Sequence, residues 1–245
     1  MSYNKDKKSE PQQMELFSQE SVALKKIEMF CGAGFANSCA SKIRKMERLC
    51  RQVSFTSSHE QPIIKPYKGE IPHTLCAITR IRDRQDRTVC PHFYMDDAKF
   101  EKYWDYPQKY LPLLQQYPYV IGPDFSVFHQ WPKDLKTINA FRNKLLMAFW
   151  QKHGISVIPN VVWDDTRSIE PMIEGLPKHS VIAINSTGLR DYPMSTKLWQ
   201  EGYEYVLNEL QPTHILRYGA KQACEDESIS TYYPNDNLIL SGHGR

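Results

Sequence analysis

Val181-Ile182-Ala183-Ile184-Asn185-Ser186-Thr187-Gly188 is an unbroken apolar run that ends in turn-forming polar residues. A strand without polar alternation has both faces buried, and in water-soluble proteins that environment belongs to the parallel sheet of an α/β fold. Working outward, Ile155-Ser156-Val157-Ile158 follows a helical stretch in which Ile138, Phe141, Leu145 and Phe149 recur at helical spacing before Gly154 ends it. Trp199, Tyr203, Val206 and Leu210 mark another helix, and His214-Ile215-Leu216-Arg217-Tyr218-Gly219 comes next as a further strand. Tyr119-Val120-Ile121 and His92-Phe93-Tyr94-Met95 are runs of the same kind, and Leu238-Ile239-Leu240 offers a last one. Strands alternating with helices predict an α/β fold with a mostly parallel sheet of about five or six strands and helices on both faces. An incomplete (β/α) barrel is the other arrangement open to the same pattern. In both, right-handed crossovers bring every strand's C-terminal end to one edge.

Away from this core the chain of 245 residues changes character. Residues 1–20 are polar and read as a flexible tail. Residues 21–90 read as a small helical and loop extension containing cysteines, with an edge strand between Thr74 and Arg82 and residues 51–75 as loop. The α/β domain runs over residues 91–245, with residues 220–236 as loop and Asp97 placed to cap the helix that carries Phe100, Tyr103 and Trp104. The net charge of +3 divides unevenly: residues 1–90 hold 16 Lys/Arg against 10 Asp/Glu, and residues 91–245 hold 15 against 18. That split allows an acidic partner, DNA included, to meet the N-terminal part. No stretch approaches the ~18 consecutive apolar residues of a membrane span, and the N-terminus lacks the apolar run of a signal peptide. The sequence therefore predicts a cytoplasmic protein with no membrane partner, whose six cysteines are thiols or metal ligands.

The order of segments carries a resemblance. HFYMDDAKFE at residues 92–101, GPDFSVF at 122–128 with Pro132 after it, GISVIPNVVW at 154–163, the Gly175-Leu176-Pro177 turn before SVIAINSTG at 180–188, and LRYG at 216–219 occur in sequence. Together they resemble an uncharacterised α/β domain family common in phages, prophages and other mobile elements, over about His92 to Gly219. The resemblance implies a mobile-element context and carries no activity with it.

Four constellations are candidates for function. The first is the rim of strand C-terminal ends, with Asp96, Asp97, Asp124, Ser126, Asn160, Asp164, Asp165, Asn185, Ser186, Thr187 and Gly188. Ligands of parallel α/β sheets bind at that edge, where Asp side chains hold Mg²⁺ or act as acid and base. Asp124, Asp96 and Asp164 are the candidate catalytic residues, and Ser126, Asn160, Asn185, Ser186, Thr187 and Gly188 the candidate ligand or nucleotide contacts. The bland alternative is that Asp after a strand caps a helix and Ser-Thr-Gly makes a turn. The second is Cys31, Cys39, Cys50, Cys76 and Cys90 with His92, enough donors for a Zn²⁺ site but without a Cys-x-x-Cys pair. The third is Arg80 to Arg87, where Arg residues suited to phosphate alternate with Asp83 and Asp86 that pair them internally.

The fourth lies in the tail, where Gln13-Met14-Glu15-Leu16-Phe17 resembles the bacterial sliding-clamp-binding pentapeptide. Gln13, Met14, Leu16 and Phe17 match its constrained positions, with Leu16 and Phe17 suited to an apolar pocket. The leading expectation is accordingly a phage or mobile-element accessory protein of DNA metabolism, recruited to the host DNA sliding clamp. A metal-dependent hydrolase or nuclease using the strand-end Asp residues, and a non-catalytic host-takeover or anti-defence binding protein, are the alternatives.

Overall fold

The computed structural model describes Arg44 and residues 46–165, 168–187 and 193–234, without the side chains of 193–195. It divides into two units, Met1–Arg51 and Gln52–Arg245. In the first, the described residues up to Cys50 are helical. In the second, β1 (Leu75–Ala77), β2 (Cys90–His92), a 3-10 turn (Asp97–Lys99), α1 (Glu101–Asp105), α2 (Pro107–Leu114) and β3 (Val120–Ile121) come first. After them come α3 (Lys133–Lys152), β4 (Val157–Ile158), β5 (Asn160–Val161), α4 (Ile169–Ile173), β6 (Val181–Asn185), α5 (Pro193–Leu210), β7 (His214–Tyr218) and β8 (Ser230–Tyr233). Among the described residues, no helix is long and apolar enough to cross a membrane.

Among the described residues, these strands all pair in parallel, as the unbroken apolar runs predict, and the isolated bridge between Phe55 and Pro62 is antiparallel. β1 pairs with β2, β3 with β4, and β5, β6, β7 and β8 pair in that order. Pro159 has no N–H and splits what is otherwise one strand, so β4 pairs with β3 on one side while β5 pairs with β6 on the other. β2 lies beside β3, and the strands therefore stand in sequence order.

The strands are strongly curled. In a flat sheet β2 and β7 would stand about 19 Å apart, four intervals of ~4.8 Å. Instead the rings of His92 and Tyr218 lie 4.7 Å apart, centroid to centroid. The phenol of Tyr233 on β8 donates to the carbonyl of Pro72, just before β1. Cys90, Ile121, Ile158, Val181, Ala183, Leu216, Tyr218 and Tyr233 share one interior cluster with Tyr67, and Leu75 packs against it. Of the two arrangements left open by the sequence, this closure is that of a barrel lacking a full complement of strands.

The opposite side chains of the same strands face the helices. Phe93 stacks on Trp150 of α3 at 5.5 Å. Arg217, buried beneath α5, pairs with Glu225 and lies 4.7 Å from the Trp199 ring. Gly202 lets α5 settle on Trp163, because a β-carbon there would collide with the indole. Lys144 donates to the carbonyls of Pro171 at 2.7 Å and Glu174 at 2.8 Å, joining α3 to the end of α4. Burial depresses its ammonium to about 7.

Several expectations change. The compact unit begins at Gln52, and β1 and the first residue of β2 fall within residues 52–90. Only Leu75–Ala77 of the Thr74–Arg82 segment is strand, and it turns at once through Arg80 N–H to the Ala77 carbonyl. The last described strand is β8, inside the expected loop; its Ser-Thr-Tyr-Tyr run buries only Tyr233 fully and has little apolar signal. Leu238–Leu240 lies outside the described residues. On α3, Leu145 and Phe149 are buried as expected, but Ile138 is 52% exposed because that end of the helix turns polar Asn139 and Asn143 inward instead.

Candidate active site

Because the strands are parallel, their C-terminal ends open at one end of the barrel, where a cavity of about 410 Å³ lies. Ala77 and Thr79 come from the end of β1, His92, Tyr94 and Asp96 from β2, Asp124 and Ser126 from β3, Asn185 and Thr187 from β6, and Tyr218 from β7. Arg80 and Lys99 add two cations.

Asp124 sits at the centre of the polar network. Gly122-Pro123 carries the chain off the end of β3 without the sharp turn expected there, and Asn143 fixes the backbone of Phe125, accepting from its N–H at 2.8 Å and donating to its carbonyl at 3.3 Å. The partly buried Asp124 carboxylate receives one amide on each oxygen: Asn160 Nδ2 donates to Oδ1 at 2.8 Å and Asn185 Nδ2 to Oδ2 at 2.9 Å. Neither amide is free to flip. Asn160 also donates to Pro123 O and accepts from Tyr94 Oη at 3.0 Å, while Asn185 Oδ1 accepts from Thr187 N–H at 2.8 Å. Burial pushes the Asp124 carboxyl up to about 6, the two amide donors oppose that rise, and the nearby Asp97 charge adds to it.

Three rings wall the cavity next to this carboxyl. His92, Tyr94 and Tyr218 lie 4.7–5.2 Å from one another, centroid to centroid. Tyr94 N–H donates to His92 Nδ1 at 3.2 Å and so fixes the orientation of the ring. Burial first, and then the Asp124 charge, raises the Tyr94 phenol well above its ordinary range, so it stays a donor.

The expected site residues separate under this geometry. Asp96 and Asp124 share the cavity, but exposed Asp96 caps the 3-10 turn through Ala98 N–H at 2.9 Å, the role expected of Asp97. Asp97 instead accepts from Ser126 N–H and Oγ, the latter at 2.9 Å, and so fixes the β3 loop. Asp164 does not line the cavity. It forms a buried ion pair with Lys136 of α3, and His129 Nδ1 lies 3.1 Å from its other oxygen. His129, Asp164 and Asp165 bring ligand atoms close together, yet Lys136 already supplies the cation. Ser186 is structural: its hydroxyl contacts the carbonyls of Tyr218 and Ala220 at 3.2 and 2.6 Å, tying β6 to β7. Asn160 and Asn185 position Asp124, and Thr187 lines the cavity with Ser126. Gly188 lies outside the described residues.

Among the described residues, no metal-type cluster includes Cys50, Cys76, Cys90 or His92. Cys90 belongs to the barrel interior, where burial pushes its thiol up and keeps it protonated. Cys76 is buried on β1, and Cys50 is half-buried in the first unit. Cys31 and Cys39 lie outside the described residues, as do Gln13, Met14, Leu16 and Phe17. The arginine-rich stretch divides as well: Arg80 reaches the cavity, Arg87 donates to Ile81 O at 2.8 Å, and Arg84 lies 3.7 Å from Asp86.

Sequence reasoning named Arg80 as a phosphate candidate without placing it at this cavity, and missed Lys99 and the aromatic wall. The available signal was alternation: Cys90 and His92 on β2, with Tyr94 two residues farther on, follow a period of two that points one way, and Cys90 and Tyr94 both belong to the interior cluster.

Comparison with known proteins places the chain. The model of a domain of unknown function, DUF4417, matches residues 53–234. The chain belongs to the DUF4417 family. The matched span begins one residue after the compact unit starts and ends one residue after β8, so the DUF4417 domain comprises the whole described barrel. Among its relatives is the Gene 1 protein of Mycobacterium phage L5, 31% identical over 212 residues, covering 82% of this chain and 92% of that one. The Gene 1 protein of Mycobacterium phage D29 is 30% identical over 190 residues, covering 76% of this chain and 70% of that protein. The expected phage family is thus shown, and its match reaches farther toward the N-terminus than the motifs from His92 onward. No solved structure matches the DUF4417 chain.

Proposed function

We propose that this phage-family protein is an enzyme that binds a small anionic molecule, a phosphorylated metabolite being the best fit, and moves a proton from it through Asp124. The observation that carries this reading is the Asp124 carboxyl, raised to about 6 and clamped by two amides at the strand-end cavity. A carboxyl near neutral pH is a usable general base, and its fixed orientation lowers the entropic cost of proton transfer. Arg80 and Lys99 supply cations for an anionic substrate, and the cavity volume suits a small molecule.

The test is a thermal-shift series on the full chain with inorganic phosphate, sugar phosphates and nucleoside monophosphates. At least one phosphorylated compound is expected to raise Tm in the wild type, and the Arg80→Ala/Lys99→Ala double variant is expected to lose that shift. A wild type that no anion stabilises would defeat the reading.

The tail supports a second, compatible proposal: recruitment to the bacterial sliding clamp, placing the enzyme at DNA metabolism. What favours it is Gln13-Met14-Glu15-Leu16-Phe17, with two adjacent apolar anchors and a polar rim residue. Purified clamp should retain the full chain on beads and release the Leu16→Ala/Phe17→Ala variant. Equal retention of both would end this proposal and leave the barrel chemistry untouched.

A further inference from the structure

The loop after β3 carries two aromatic side chains that the barrel core does not absorb. Phe128 is 50% exposed and Trp131 is partly exposed, and their rings meet edge to face at 4.8 Å. The loop holding them is pinned on both sides. Ser126 is bound by Asp97, and its carbonyl accepts from Asn139 Nδ2 at 2.8 Å; His129 contacts Asp164; and Trp131 N–H donates to Phe128 O at 3.0 Å. Phe128 is therefore held half in solvent by hydrogen-bonded neighbours, and covering its exposed face would be favourable. Ser126 lines the cavity, and Phe128 is two residues along, at most ~7 Å of chain away. The loop that carries the aromatic pair thus begins at a cavity lined by Arg80 and Lys99, two cations fit for phosphate.

We propose that Phe128, braced by Trp131, is a platform that stacks the base of a nucleotide whose phosphate is held by Arg80 and Lys99. This rests on the reading of the Asp124 cavity as a site for a small phosphorylated substrate, and narrows that class to nucleotides. Stacking on a preformed aromatic face tolerates any base, so the platform selects for a base without selecting which one.

Isothermal titration of the full chain with adenosine 5′-monophosphate and with ribose 5-phosphate tests this, because the two share the phosphate and sugar and differ in the base. The wild type should bind the nucleotide about tenfold more tightly than the sugar phosphate. Phe128→Ala should remove that advantage while leaving ribose 5-phosphate binding unchanged, and Phe128→Tyr should keep it. Equal affinity for the two ligands in the wild type, or unchanged nucleotide affinity in Phe128→Ala, overturns the platform while the cavity reading survives on ribose 5-phosphate binding. A Phe128→Ala variant that changes only the elution volume on gel filtration would mark the patch as a self-association surface and also overturn it. If neither ligand binds and no other anion stabilises the protein, the cavity reading itself has failed.

Discussion

Asp124→Asn is expected to lower turnover of the stabilising substrate by about 10²–10⁴-fold, the usual contribution of a general base. The substrate itself should still bind. An amide retains the size of the carboxyl but cannot take a proton, so the loss falls on kcat and not on affinity. In the wild type, kcat/KM should rise as pH climbs through about 6, where Asp124 ionises, and the residual activity of the variant should lack that rise. The substitution also sets a new N–H against the amide of Asn160 or Asn185, a mismatch costing about 1–3 kcal/mol, so circular dichroism must accompany the kinetics.

The same carboxyl has a signature in stability. Its folded value of about 6 lies above the 3.8 of an unperturbed aspartate, so between those pH values the native state holds a proton that the unfolded chain has released. Stability from this group is therefore greatest below pH 4 and falls as pH rises to 6. The fall is at most ~3 kcal/mol, and less to the extent that the carboxyl faces water in the cavity. The difference between wild type and Asp124→Asn isolates it from other titrating groups.

Lys136→Met should destabilise the fold by about 3–5 kcal/mol, read as a lower midpoint in urea. Lys136 and Asp164 are both buried, and removing the ammonium leaves a carboxylate with no equivalent cation. His129 cannot replace it, because its side chain is about half exposed and its attraction is screened by solvent. The double variant Lys136→Met/Asp164→Leu should recover most of the loss, since an apolar pair of similar volume carries no desolvation cost. A single variant as stable as the wild type would show that Asp164 is not held by Lys136, and would return it to the candidate catalytic groups.

The strands that form the barrel were legible where apolar runs are continuous: Val181–Ile184 and His214–Tyr218 are strand throughout, and the Ile155–Ile158 run holds β4 in its second half, Val157–Ile158. Parallel pairing came from those runs, and so did the shared edge that holds Asp96, Asp124, Ser126 and Thr187. β1 was legible as the edge strand expected between Thr74 and Arg82, though only three of those residues form it, while β8 was hidden because it is a polar run fixed by its ladder to β7. Closure into a barrel depends on contacts such as His92 with Tyr218, more than 100 residues apart, which local pattern does not encode. The fate of Asp164 shows the same limit. Asp after a strand can face a cavity or a cation, and Lys136 is recognised as its partner only when α3 is laid against the loop. Asn160 and Asn185, expected as ligand contacts, instead clamp Asp124.

If the fold holds Asp124 as a proton carrier near neutral pH, the carboxyl must titrate there. Carbon-13 NMR of aspartate carboxyls, with Asp124→Asn used to assign the resonance, measures this directly. A titration midpoint of about 6 is expected for Asp124. A midpoint near the ordinary aspartate value of ~3.9 would contradict the role of Asp124 as the general base.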